Sequence, residues 1–488
     1  RHVCGQCLRG RRTDDCEYMD KHTRSRAEML EEDISRIESR IYELEHPAEA
    51  TGESVLLHHL YKQPRRRANM PRIKIVDLPE LACVIDAFLP YTSDWGFFLD
   101  PARFRQDALL PLPIGHHSRP TPALLTAVYL IGIVLSDSPT FRMHENIFLL
   151  RALSSLSGSL SGLDPLKTVH ALQTEILLSN YLYASGRLLE GRYHTTAAVS
   201  LAVSRPQLKN EAVTATLWPD AHTTESLDAC WMTIILDKSW SIALAMHPNL
   251  DADGCSGMIE LPWPRYDCPY HLRFDPIHQL STPQSHSTVA RFLEGTEISI
   301  GAASAKTLLA KATILWQRVN NLIVGWKPDV DSEESSRFSI AFDTLDLRIH
   351  DFQDKLTIAP APNSRALVVG HSIAHAAVIQ LHGTFAQATP KSKQKCLAAA
   401  KSILVLIDGT DLRDSVFINP VMGTIWVAAC EVAVDEITVL RASRSRPAGV
   451  PTAAKAALAG LFARAVEAMR RFESSPLMSA CCVVLAAI

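Results

Sequence analysis

The sequence predicts an all-α protein, a large helical body behind a small polar head, and three observations carry that reading. From about residue 78 onward, long apolar segments recur at helical spacing. Alternating strand patterns are scarce. Proline, glycine and serine punctuate the segments as helix boundaries do. At 488 residues the chain can bury a sizeable core without covalent staples. With 47% hydrophobic and 21% charged residues its composition is that of an ordinary globular protein.

The expected helices are 78–90, 122–136, 143–160, 165–185, 191–203, 224–246, 287–325, 333–357, 364–388, 391–408, 419–441 and 452–474. Segments 205–222 and 250–285 are proline-rich and polar, and read as loops. The longest apolar run, Pro122 to Leu135, spans about 14 residues, short of the ~18 that a membrane crossing needs, so no membrane partner is expected. The N-terminus is basic and polar, without the apolar stretch of a secretory signal. The first residue is Arg1 and the last, Ile488, falls inside an apolar run, so the chain is expected to be a piece of a longer one.

The formal net charge is −3, so nucleic-acid binding by the whole surface is excluded and any such role must be local. Most of the 11 cysteines stand alone in apolar runs: Cys83, Cys230, Cys396, Cys430, Cys481 and Cys482. Such cysteines read as small buried hydrophobes in a reducing compartment.

Cys4, Cys7 and Cys16 are different. Cys4-x-x-Cys7 lets two thiolates reach one tetrahedral zinc from a single turn, which Gly5 permits. Neighbouring Arg9, Arg11 and Arg12 favour the thiolate form. A redox CxxC fits less well, since no βαβ pattern surrounds it. These three ligands do not close a structural zinc site by themselves. The basic residues Arg9, Arg11, Arg12, Lys21, Arg24 and Arg26 alternate with acidic ones. Facing a duplex, they would contact phosphates, which give affinity and register rather than base reading.

Residues 27–46 carry the strongest local pattern. Leu30, Ile34, Ile37, Ile41 and Leu44 recur at alternating steps of four and three, the a/d seam of a coiled coil. Ile34 and Ile41 at a, with Leu30, Ile37 and Leu44 at d, favour a parallel two-stranded coil and hence a homodimer. Across that seam Arg40 would face Glu45 of the twin favourably, and Asp33 would face Glu38 of the twin unfavourably. The alternative is one amphipathic helix docked on its own body. Pro47 ends the pattern, and residues 47–77 form a linker with a basic run at Arg65, Arg66 and Arg67.

Together, Cys4-Gly5-Gln6-Cys7, Arg9-Gly10 and Asp14-Asp15-Cys16-Glu17-Tyr18 resemble the second half of the fungal binuclear zinc cluster, in which six cysteines hold two zinc ions. The resemblance implies that Cys4, Cys7 and Cys16 are zinc ligands. It also implies that the remaining three cysteines, with the basic helix that reads DNA, lie ahead of Arg1. In that family a linker, a dimerising coiled coil and a helical "middle homology" regulatory region follow. Lys21 to Arg26, Leu30 to Leu44 and the helical body occupy those places. Within the body, Leu188, Glu190, Gly191, Arg192, Tyr193 and His194 lead into Ala197 to Ala202, and Ala229-Cys230-Trp231 leads into Leu236-Asp237-Lys238, as features of that region do. Ala245-Met246-His247-Pro248 stands where the family often has Gly-x-Pro.

The implied organisation is 1–18 cluster, 19–46 linker and coiled coil, 47–77 flexible linker and 78–488 regulatory body. The implied function is zinc-dependent, sequence-specific DNA binding in the nucleus, regulating transcription by RNA polymerase II. The alternative is a helical ligand-sensing or protein-interaction module that does not bind DNA itself. No catalytic residue is expected. Val368-Val369-Gly370-His371-Ser372-Ile373-Ala374 imitates a nucleophile elbow but ends in Ala374 and reads as helix. His371, His375 and His382 share a helix face, without an acidic residue nearby in sequence to complete a metal set.

Overall fold

The computed structural model describes residues 6, 9, 10, 30, 31, 34, 35, 38, 78–136, 138–159, 165–204, 221–250, 261, 263, 264, 288–296, 304–328, 331–357, 365–409, 415–442 and 451–487. Among them there is helix and no strand, so the fold is all-α. The chain divides into two units, Arg1–Ile75 and Val76–Ile488.

The second unit begins with α1 (Leu78–Phe88), a 3-10 turn (Leu89–Tyr91) and α2 (Pro101–Ala108). Asp100 caps α2 by accepting from the Arg103 amide at 2.7 Å, and Pro101 follows it, where a missing amide hydrogen costs nothing. Then come α3 (Pro122–Leu135), the single turn α4 (Pro139–Arg142) and α5 (Glu145–Ser159). Helix α3 is apolar on every side, and it is buried on nearly every side. The next three helices hold the features of interest: α6 (Pro165–Ala184), α7 (Leu188–Val203) and α8 (Ala221–Ala243). After α9 (Thr288–Glu294) the body closes with α10 (Ala305–Gly325), α11 (Ser332–Thr357), α12 (Arg365–Gly383), α13 (Pro390–Gly409), α14 (Val421–Ala442), α15 (Pro451–Arg470) and α16 (Pro476–Ala487).

Helices α1, α3, α5, α6, α7 and α8 pack in succession, as do α10 through α16. The two groups meet where α8 lies on α10 and α14, and where α16 lies on α6. One continuous core runs through both, with Trp95, Trp231, Trp240 and Trp426 among its fully buried side chains. Burying a large apolar side chain stabilises by roughly 1.5–3 kcal/mol, so this core dominates the energetics.

Several sequence expectations need correction. The expected helix 287–325 is two helices. Gly295, at φ +75°, ends α9, with the Thr296 amide donating to the Arg291 carbonyl and the Gly295 amide to that of Phe292. That left-handed closing turn is a glycine device. Helices α2, α4 and α16 were not expected, and α12 stops at Gly383, short of residue 388. Cys230, Cys396, Cys430, Cys481 and Cys482 are buried as expected, but Cys83 is exposed. It lies on α1 beside Val84 and Ile85, which take the inward face. Among the described residues no helix is long and apolar enough to cross a membrane.

Candidate functional site

In the first unit, Arg9 is helical and exposed, and the Gly10 amide closes a turn on the Gln6 carbonyl at 3.0 Å. Leu30, Glu31, Ile34, Ser35 and Glu38 are helical. Leu30 and Ile34, one turn apart, are each 54% exposed. Cys4, Cys7, Cys16, Arg11, Arg12, Lys21, Arg24, Arg26, Ile37, Ile41 and Leu44 lie outside the described residues.

In the second unit, the two motif segments of α7 and α8 meet in one polar network. Arg192 of α7 donates from Nη1 to Ser241 Oγ at 2.8 Å and to Asp237 Oδ1 at 3.3 Å, and from Nη2 to the His247 carbonyl at 2.5 Å. Asp237, fully buried, also accepts from the Asn249 amide at 3.1 Å, from Asn249 Nδ2 at 2.8 Å and from the Leu250 amide at 2.9 Å. Lys238 donates to the Leu250 carbonyl at 3.2 Å. A buried carboxylate is tolerable only when its lone pairs are filled in this way.

Between α6 and α7, His194 Nδ1 lies 2.6 Å from Glu175 Oε2, both side chains buried. Gly191 leaves room for Tyr183, whose Cδ1 would lie 2.7 Å from a Cβ at that position. Tyr183 in turn stacks on Trp240, ring centres 3.8 Å apart and 13° from parallel. Small Gly191 is therefore what lets α7 close on α6 and what seats the Trp240 ring.

That ring is part of the wall of a cavity between α6, α8, α10, α12 and α14. Ile176, Met232, Ile235, Leu236, Leu309, Val369, Ile373 and Val421 supply an apolar lining, and Ser93, Asn180, Ser239 and Asn419 supply neutral polar groups. Its empty space is about 430 Å3 with the open mouth included. The exposed Ser93 and half-buried Asn419 mark the mouth, and the buried Asn180, Ser239 and Trp240 mark the floor. Two loops frame the mouth. Trp95 stacks on Phe417 with ring centres 4.1 Å apart, and the Val416 amide donates to the Tyr91 hydroxyl at 3.2 Å. Arg365 fixes the first loop from α12, donating to Asp94 Oδ2 at 2.7 Å and the Pro90 carbonyl at 2.5 Å.

The remaining sequence features fall on α12. Ser372 is fully buried in mid-helix, not on a strand-to-helix turn. His375 Nδ1 lies 3.0 Å from Gln353 Nε2. His382 pairs with an acidic residue distant in sequence: Nε2 lies 3.1 Å from Asp346 Oδ1, and Nδ1 lies 3.1 Å from Ser392 Oγ. Asp346 is also bound by Lys395, so it serves as a tie between α11, α12 and α13. Ser392 and His382 are both buried. Among the described residues no three metal-ligating side chains come together.

Set against known proteins, the chain matches no family model, no curated sequence and no solved structure.

Proposed function

We propose that the intact protein is a zinc-cluster transcription regulator that binds double-stranded DNA as a homodimer in the nucleus. The observation that carries the reading is an order along the chain. A zinc-type Cys4-x-x-Cys7 with Cys16 sits in a basic stretch. It is followed directly by a helix on which Leu30 and Ile34 meet solvent, and then by an all-α body. A zinc head fixes a DNA-reading helix, and a dimer seam next to it sets the separation of two half-sites. In the complete cluster Cys4, Cys7 and Cys16 are ligands of two shared zinc ions. Arg9, Arg11, Arg12, Lys21, Arg24 and Arg26 then face phosphates. The body, with Ser372 sealed inside a helix, acts as a regulatory platform rather than an enzyme.

The test is the coding sequence ahead of Arg1 and the protein extended through it. The reading expects a further CxxC, a Lys/Arg-rich stretch and a third cysteine there. It also expects two zinc ions per extended chain by metal analysis and retention of a duplex carrying paired half-sites. Cys7→Ser should abolish zinc and DNA binding and leave the helical signal of the body intact. An extended chain without zinc, or one indifferent to Cys7→Ser, overturns the proposal.

A further inference from the structure

We propose that the cavity floored by Ser239 and Asn180 is a binding site for a small, uncharged amphiphile that carries one hydroxyl or amide group. The site stands whether or not the chain reads DNA.

The deciding group is Ser239. It lines the cavity, is only 4% exposed, and its Oγ has no hydrogen-bond partner. Three buried helical threonines in this protein bond back to the carbonyl four residues earlier. Thr174 does so to His170, Thr313 to Leu309 and, on the same helix as Ser239, Thr233 to Ala229. Ser239, like Ser372 on α12, has no partner, and of these two serines Ser239 is the one that lines the cavity. A buried hydroxyl without a partner costs free energy, so a group that occupies the cavity and bonds to it is favoured over an empty space. Asn180 Nδ2 donates to the Trp95 carbonyl at 3.0 Å, which stiffens the floor beside Ser239.

The rest of the lining selects the chemistry. No charged side chain lines the cavity. An ion drawn into it would lose its hydration without a counter-charge, so charged molecules are excluded. A water alone wants two to four polar partners, whereas most of the wall here is aliphatic. A short apolar body with a single polar end satisfies both surfaces, and the confined space limits that body to a few carbons.

The experiment uses the full chain and three probes of nearly one shape: 1-butanol, butyrate and n-butylamine. Ligand-observed saturation-transfer NMR reads binding at millimolar concentration. We expect saturable transfer to 1-butanol and none to the two ions. Ser239→Ala should fold normally and weaken 1-butanol binding about tenfold, because it removes the anchor and keeps the space. Val369→Phe, which fills the cavity from the α12 wall, should abolish binding. Absence of saturable transfer to 1-butanol overturns the proposal. So does equal transfer to all three probes, or 1-butanol binding unchanged in both variants.

Discussion

Arg192 Nη1 lies 3.3 Å from Asp237 Oδ1, and this contact joins α7 and α8 at the point where the chain turns out of α8 toward Leu250. Asp237 is fully buried and Arg192 partly buried. Removing one partner leaves the other desolvated without compensation, which typically costs about 3–5 kcal/mol. Asp237→Ala should cost more than Arg192→Ala, because it also strands the Asn249 and Leu250 amides. Urea unfolding of both variants checks the order. Equal stability of wild type and Asp237→Ala would show that the network is replaceable by water.

Helix α8 ends on an unusual residue. Ala245, at φ +51°, is the one non-glycine with positive φ among the described residues. Its amide donates to the Ile242 carbonyl, and the Met246 amide reaches back to Ser241. The left-handed region costs an L-residue roughly 1–2 kcal/mol, and glycine avoids most of that. Glycine also loses more freedom on folding, which returns part of the gain. Ala245→Gly should therefore raise stability by about 0.5–1 kcal/mol, seen as a higher denaturation midpoint with unchanged slope. A lower midpoint would contradict the assigned turn.

Two groups, one buried and one half-buried, give the stability a structured pH dependence with opposite signs. Burial, and secondly the neighbouring His371, push His375 down to about 4 from an ordinary value near 6.5. The unfolded chain takes up that proton as pH falls below 6.5 and the folded chain does not, so stability is lost between about 6.5 and 4. For a half-buried ring this amounts to about 2 kcal/mol after solvent screening. Burial pushes Asp94 up to about 6 against the pull of Arg365. Its contribution is fully present below about 4 and lost as pH rises through 6. The two nearly cancel between pH 4 and 6 in the wild type. His375→Gln should leave a protein whose stability holds better on acidification, and Asp94→Asn one that weakens faster. Unfolding measured at several pH values separates them, and parallel profiles for all three proteins would refute both assignments.

These sites differ in how far the sequence reveals them. Helix α6 is legible to within a residue because its ends are marked by Pro165 and Gly186, whereas the Gly191-Arg192 and Asp237-Lys238 segments are picked out only by the family resemblance. Helix α2 is hidden because only Phe104 and Ala108 are buried on it, although Asp100-Pro101 is a readable start signal. The pairing of His382 with Asp346 spans 36 residues and no local pattern encodes it. Ser239 is the clearest limit: the same sequence allows it a bond to its own helix, and only the structure shows that its hydroxyl is buried without a partner. The proposed zinc and seam residues rest on spacing and resemblance, and most of them lie outside the described residues.

The seam offers the sharpest solution test. Leu30 and Ile34 are exposed neighbours on a helix, and the repeat continues through Ile37, Ile41 and Leu44. An apolar stripe left in water forgoes roughly 1.5–3 kcal/mol per large side chain, so it gains by finding a second surface. Its twin offers matched β-branched a positions and a self-complementary geometry, which a parallel two-stranded coil uses fully. A charge at the centre of the seam removes that gain, because a carboxylate buried between two copies has no partner there. Ile37→Asp should therefore convert dimer to monomer in sedimentation equilibrium, while the circular dichroism of the body stays that of the wild type. The same change in a peptide of residues 1–60 should abolish concentration-dependent association. If the wild-type chain sediments as a monomer at high micromolar concentration, the two-stranded coil is wrong. The stripe then docks within its own chain, and Ile37→Asp would lower thermal stability instead of changing the mass.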